Sequence, residues 1–414
     1  IDEHKGNPWR IAFKQGLFNM TSDSGLFQNS PNASSLPLYE AKMIHQFDHR
    51  WATYDLEGIG ASGGAEPTVR DVTDTMKEDP SFSVRPRYWV DRREVIARIA
   101  DAPKMVIDAW KAGNERELRA AFAAQTDTPE LANLFSSPDI FASVEAYLDT
   151  RSSKWLMGWR DITNATNERT IIASVMPRVG VGNNLPLMLF DGTSTTLQKA
   201  GLLGNLLALC LDFVARHKVG GMHLNFFVYK QLPILPPDAY SNEDLSFIVP
   251  RVFELTYTAK DMQPWAADLW GSMDTRLRVL ISQRYREQRG QYRRIHFFSY
   301  GLPSQIEDPA LVWPHVERNI PFNEDAYPPF PWVPERRAIL RAELDARYAR
   351  LYGLTREELS YILDPASVMG TDYPSETFRV LKDNEIREFG EYRTMRLVLE
   401  AWDAQESATG SAYA

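Results

Sequence analysis

The sequence has one cysteine, Cys210, in 414 residues, so the chain can form no internal disulfide and no Cys₄ zinc site. Its 23 glycines are too few for a collagen-like repeat. No apolar run approaches the roughly 18 residues a membrane-spanning helix needs. The longest greasy stretch, Leu202 to Val214, is interrupted by Asn205 and Asp212. No signal peptide opens the chain. These absences lead us to expect a cytoplasmic protein with no membrane partner. A basic excess is missing as well, with 46 Lys and Arg against 55 Asp and Glu, a net charge of −9. Small nucleic-acid binders usually carry such an excess to meet phosphates. A large multi-domain binder can be acidic overall with one local basic face, so the distribution of charge decides more than its sum.

Several catalytic signatures are also missing. There is no G-x-x-x-x-G-K-[ST] phosphate loop and no G-x-S-x-G nucleophile elbow. Amino-methylating enzymes that use S-adenosylmethionine carry [DNS]-P-P-[YFW], whose first side chain accepts hydrogens of the target amino group. The nearest match, Tyr327-Pro-Pro-Phe330, cannot supply that short acceptor and reads as a proline turn. Gly58 to Gly63 matches G-x-G-x-x-G but lacks the flanking strand and helix, and reads as a loop.

What is present is ordinary for a globular chain, at 44% hydrophobic and 24% charged residues. Length suggests two or three domains. Residues 1–38 mix Gly, Asn, Ser and Pro with short apolar bits and read as a connector. RPRYWVDRREVIARIAD suggests a strand entering a helix, and 104–125 a helical piece divided at Gly113. WLMGWRDI, TIIASVMP and LPLMLF read as strands within 153–190. A helix is expected from Leu202 to about His217, and a strand over 222–231. Beyond about 241 the chain turns helical. The spacing of Leu340, Leu344, Tyr348 and Leu351 predicts a helix over 335–352, Thr355 to Glu358 forms a capping box, and 382–402 predicts a last helix.

Two clusters have chemical potential. His45 and His49 are four apart and on a helix would share a face, while Asp23, Glu40 and Lys42 loosely imitate a Mg²⁺ nuclease pattern. A metal-dependent nuclease or hydrolase using Glu40, Lys42, His45 and His49 is therefore one reading, against hydrogen-bonding histidines at a packed junction. Residues 276–296 hold seven Arg and one Glu, a formal charge of +6, with Tyr285 and Tyr292 interleaved. That strip is either a solvated helix face or a phosphate-contacting surface.

Five segments, taken together, resemble one family: LPLYEAKMIHQFDHRWATYD (37–55 region), WLMGWRDITNATNERTIIASVMP (155–177), FVARHKVGGMHLNFFVYKQLPILPP (213–237), ERRAILRAELDARYARLYGL (335–354) and ETFRVLKDNEIREFGEYRTMRLVLEAWD (376–403). They are similar to the C-terminal part of Eco57I-like and TaqI-like adenine-specific (N6) DNA methyltransferases of restriction-modification and phage-defence systems, including BREX and DISARM types. In that family the N-terminal part binds S-adenosylmethionine, and the C-terminal part recognises the DNA target. The chain opens at Ile1, in mid-phrase, which fits a fragment whose catalytic domain lies upstream.

The resemblance implies an α+β fold: a connector from that missing methyltransferase domain (1–38), a mixed, β-rich target-recognition domain (39–240) and a mainly helical C-terminal region (241–414) with an insertion at about 265–330. It implies double-stranded DNA as a partner, together with the upstream domain and other defence-system subunits, and no cofactor held by this chain. Base-reading candidates are Arg160, Asn164, Thr166, Asn167, Arg169, His223 and Asn225. Phosphate-contact candidates are Arg216, Lys218, Arg284, Arg286, Arg289, Arg293 and Arg294. A protein-interaction module of a defence complex is the third reading.

Overall fold

The computed structural model describes residues 6–55, 67–123, 137–289, 327–374 and 377–411. The strands are β1 (Ile11–Lys14), β2 (Ser35–Tyr39), β3 (Ala52–Asp55), β4 (Thr68–Asp71), β5 (Trp89–Asp91), β6 (Trp155–Trp159), β7 (Ala173–Pro177), β8 (Gly180–Val181) and β9 (Leu187–Phe190). Helices α1 (Asp74–Glu78), α2 (Arg92–Ile99), α3 (Lys104–Ala112), α4 (Glu115–Ala123) and α5 (Ile140–Thr150) lie between β4 and β6. After β9 come α6 (Thr196–Leu206), α7 (Leu209–Lys218), α8 (Phe226–Tyr229), α9 (Asn242–Thr256), α10 (Gln263–Gly271) and α11 (Thr275–Arg289). The chain closes with α12 (Pro334–Leu351), α13 (Arg356–Leu363), α14 (Ala366–Met369), α15 (Arg379–Phe389) and α16 (Arg393–Ser411). The fold is α+β.

An antiparallel sheet of order β1-β9-β6-β7 divides two cores. Alternate residues of its strands face opposite ways. Trp155, Met157, Trp159, Ala173 and Val175 pack with the helices of the C-terminal half. Leu156, Met176 and Leu187 pack against β2, β5 and β8, which form a second sheet of order β5-β2-β8. Burial on both faces explains why β6 and β7 read as unbroken apolar runs. Helices α2 to α5 gather a third cluster around Trp110 and Val144. Gly113, at φ 68, caps α3 and divides it from α4.

Residues 9–18 and 35–38 are sheet and core rather than connector, whereas 21–34 run as mostly exposed turns. β1 pairs with β9, Trp9 is 1% exposed and donates to the Leu235 carbonyl (2.9 Å), and β2 is the middle strand of its sheet. Gly16 turns the chain after β1 at φ 65, where a Cβ would lie 2.3 Å from the Gly182 carbonyl oxygen. The larger core runs from Trp9 to Trp402 without dividing near 240. Trp265, Leu269, Trp270, Leu277 and Ile281 belong to it, so 265–281 is integral to the fold; 290–326 lie outside the described residues.

Three expected elements differ. The helix from 202 to 217 is two helices, α6 and α7, bent by 59°. At the break Asp345 accepts from the Leu209 amide (2.7 Å), and the Leu207 carbonyl accepts from Arg169. Everything around the break is buried, so the apolar stripe passes through it unmarked. Residues 222–231 form one bridge, Ile162 to His223, and then α8, which Asn225 initiates by accepting from the Val228 amide (3.1 Å). The last helix is α15 and α16, separated at Gly390 in the left-handed region (φ 76). Among the described residues no single helix is long and apolar enough to cross a membrane; the bent α6–α7 pair passes by length and composition, and is core.

Candidate nucleic-acid interface

Two loops meet at one end of the four-stranded sheet. The first, residues 161–170, joins β6 to β7; the second, 219–225, joins α7 to α8. Backbone hydrogen bonds knit them: Leu224 N–H to Asp161 O (2.8 Å) and Thr163 N–H to Met222 O (3.0 Å). Trp159 Nε1 donates to the Leu224 carbonyl (2.9 Å), and His223 Nδ1 pairs with Asp161 Oδ2 (2.9 Å).

The back of the first loop is held by buried charge. Asp212 on α7 is fully buried and accepts from the amides of Thr170 (2.9 Å) and Ile171 (2.6 Å). One turn later Arg216 bonds Asp212 (3.2 Å) and donates to the carbonyls of Ala165 (2.9 Å), Asn167 (2.6 Å), Glu168 and Thr377 (2.8 Å). Arg169 is buried beside the same carboxylate (3.6 Å) and donates to the Leu207 carbonyl. An ionised pair out of water must have its remaining donors and acceptors met, and here the loop backbone meets most of them.

These contacts correct several site assignments. Arg216 is a staple of the loop, not a phosphate contact. Arg169 and Arg160 are turned inward rather than toward bases. Arg160 donates to the carbonyls of Ile44 (2.8 Å) and Lys42 (3.2 Å), and burial lowers its pKa to about 10. Arg284 is 1% exposed and bonds Glu254 (2.7 Å), which also takes Arg336 (2.8 Å). The basic strip thus has at least one inward arginine. The side chains of Arg286 and Arg289, and Arg293 and Arg294 altogether, lie outside the described residues. Asn167 is half-buried, with its amide 3.5 Å from Thr163 Oγ1.

The front of the two loops is different. Asn164, Thr166, His223, Asn225 and Lys218 remain accessible, and Lys218 has no ion-pair partner among the described residues. Asn164 Oδ1 accepts from the Thr166 amide (2.8 Å) and hydroxyl (2.6 Å), and Asn225 Oδ1 is committed as the α8 cap. Their NH₂ donors make no hydrogen bond among the described residues. Between these polar groups stand Ile162 (46% exposed), Met222 (65%) and Phe227 (76%). Large apolar side chains so exposed and so close together mark a contact surface. Residues 213–237 contain no Asp or Glu, in a chain of net charge −9. That gap is the signal that would have located this face, and Met222, Phe227 and Asp212 were not singled out from sequence.

The nuclease residues do not assemble. His45 and His49 flank a tight turn, not a helical face: His45 bridges to Asp48, and Phe47 takes a left-handed φ of 57. His45 stacks on Trp51 (4.2 Å), and burial with Arg160 nearby pushes its pKa down to about 3. His49 bonds Asp261 (2.8 Å). Glu40 accepts from the Tyr54 hydroxyl and pairs with Lys42 (3.5 Å), while Asp23 accepts from the Asn19 amide (2.8 Å). Among the described residues no group of three or more His, Cys, Asp or Glu is placed to hold a metal ion.

Comparison of the chain with models of protein families, with curated proteins and with solved structures yields no match.

Proposed function

We propose that this chain is the DNA sequence-recognition module of a site-specific adenine-N6 DNA methyltransferase from a cytoplasmic restriction or phage-defence system. It would select and position double-stranded DNA for an upstream domain that holds S-adenosylmethionine. One observation carries the reading. The two segments 155–177 and 213–237, which resemble that family, interlock, and where they meet they present an accessible face to which 213–237 contributes no carboxylate.

The chemistry of that face is suited to base edges. Each base pair shows a distinct donor and acceptor pattern in the major groove. The free NH₂ groups of Asn164 and Asn225 match purine N7, guanine O6 and thymine O4. Their oxygens are already used, so neither can make the bidentate contact to adenine that needs both. His223, with Nδ1–H given to Asp161, offers Nε2 as an acceptor for an exocyclic amino group. Met222 and Phe227 supply apolar surface for a thymine methyl or an unstacked base. Lys218, exposed at the end of α7, would meet a phosphate.

Selection of bound fragments from random duplex DNA, at low and moderate salt, tests the reading. Enrichment of one short adenine-containing motif is expected. Salt-sensitive binding without a motif would reduce the module to phosphate contact, and no binding at low salt would defeat the proposal.

A further inference from the structure

Behind the reading loop lies a pocket of about 170 Å³, bounded by α12, α15, the start of α16 and residues 45–46 and 168–169. This is far more than the roughly 15 Å³ one water requires. Three guanidinium groups, those of Arg169, Arg341 and Arg393, line it. Arg341 makes no hydrogen bond or ion pair with any described residue. Burial and the like charges of Arg169 and Arg393 lower its pKa, against the opposing pull of Asp345 and Glu385. Arg393 lies over the Phe389 ring (3.6 Å) with its Nε buried and unbonded, and Arg169 Nε is unbonded too.

Carboxylates line the same pocket, but most have other partners. Glu385 accepts from the Thr394 amide (2.7 Å) and hydroxyl (2.6 Å), Glu168 from Asn384, and Asp345 from the Leu209 amide (2.7 Å). Glu388 is exposed at the margin, and His45, its pKa pushed down to about 3, is neutral. Arg341 and the Nε of Arg393 therefore keep donors that no described residue accepts, whereas Arg169 is shared with Leu207 and Asp212, and the oxygens of Glu385, Glu168 and Asp345 are met by neutral N–H and O–H groups.

We propose that this pocket binds a phosphate-like oxyanion between Arg341 and Arg393. Guanidinium forks match such oxygens bidentately, and an anion would accept from the Arg341 and Arg393 donors that no described residue meets. The anion is either a free phosphate or a phosphate of the DNA backbone. The second would seat DNA against Glu168 and Arg169, at the rear of the reading loop. The site stands independently of the proposed function.

The test uses the whole chain, with sodium sulfate and inorganic phosphate as probes and sodium chloride of matched ionic strength as reference. Thermal melting and calorimetric titration are the readouts. Both oxyanions are expected to raise the melting temperature beyond chloride. Arg341→Gln and Arg393→Gln are expected to weaken sulfate binding at least tenfold. Without anion, Arg341→Gln should melt no lower than the parent chain, because it removes a desolvated guanidinium that no described residue accepts from. Arg341→Lys should recover part of the affinity.

A response no larger than that to chloride would overturn the proposal. So would an Arg341→Gln chain that melts lower without anion yet binds sulfate as the parent does. A short duplex that competes with sulfate identifies the backbone phosphate as the source; simultaneous binding identifies a free anion. Sulfate binding with no DNA binding at any salt would break the proposed function and leave this site standing.

Discussion

The two sides of the 161–170 loop are built on opposite principles. Its back is charged and buried: Asp212, Arg216 and Arg169 meet the backbone and one another in the interior. Its front is accessible, with Asn164, Thr166, His223, Asn225 and Lys218 set among Ile162, Met222 and Phe227. The contrast teaches that an arginine beside an exposed polar loop can belong to the loop's support rather than to its open face. A guanidinium carries five donors, and a loop of unpaired carbonyls uses them as readily as phosphate does.

The comparison breaks most visibly if the back proves dispensable. Arg216→Ala leaves Asp212 buried without its full complement, and should cost about 3–5 kcal/mol of stability in urea unfolding. A loss under about 0.5 kcal/mol, the range of surface substitutions, would show that the staple is not structural. The front should behave in reverse. Phe227→Ala should change stability by no more than about 0.5 kcal/mol. In a fluorescence-anisotropy titration it should weaken duplex binding by about 1–3 kcal/mol, the range of an aromatic contact to a base. Unchanged affinity would remove Phe227 from the interface.

Asp345, which caps α7, sharpens the comparison through pH. Burial raises its carboxyl to about 6, from an ordinary value of 3.8. A raised folded-state value means the folded chain holds the proton more tightly. Its contribution is therefore complete below about pH 4 and is lost as pH rises through about 6. Asp345→Asn can still accept from Leu209 and cannot ionise, so above pH 6 it should be more stable than the parent by about 1–3 kcal/mol. Melting curves at about pH 4 and about pH 7.5 check this, and an equal difference at both would contradict it. The smallest effect is expected at Lys218. Lys218→Gln should leave stability unchanged and reduce the slope of log affinity against log salt by about 1. An unaltered slope would take this lysine off the phosphate path.

Much of the fold was legible where local signals agreed. The strands in 153–190 carry apolar and β-branched runs between Pro, Gly and Asn, and they form as β6, β7 and β9. Gly113 stops α3, the stripe in 335–352 forms α12, and Thr355 and Glu358 cap α13 reciprocally. Legibility failed where a distant group decided a local outcome. Residues 11–14 became a strand because β9 offered an edge, and α6 parted from α7 because Asp345, far along the chain, caps the new end. FFVYK has strand-like composition, yet Asn225 spends its side chain starting a helical turn.

The candidate site divides the same way. Asn164, Thr166, His223 and Asn225 were singled out as polar loop residues, and they are accessible together. Arg160, Arg169, Arg216 and Arg284 were singled out by charge, and each is engaged within the fold. By itself the sequence determined which residues carry hydrogen-bonding side chains, which segments alternate or repeat at helical spacing, and that no internal disulfide could cross-link them. Tertiary structure alone decided which arginines face inward and which amides keep a free donor. A hydrogen-bonding group is committed by whichever partner lies within about 3 Å, and in a folded chain that partner is often a hundred residues away.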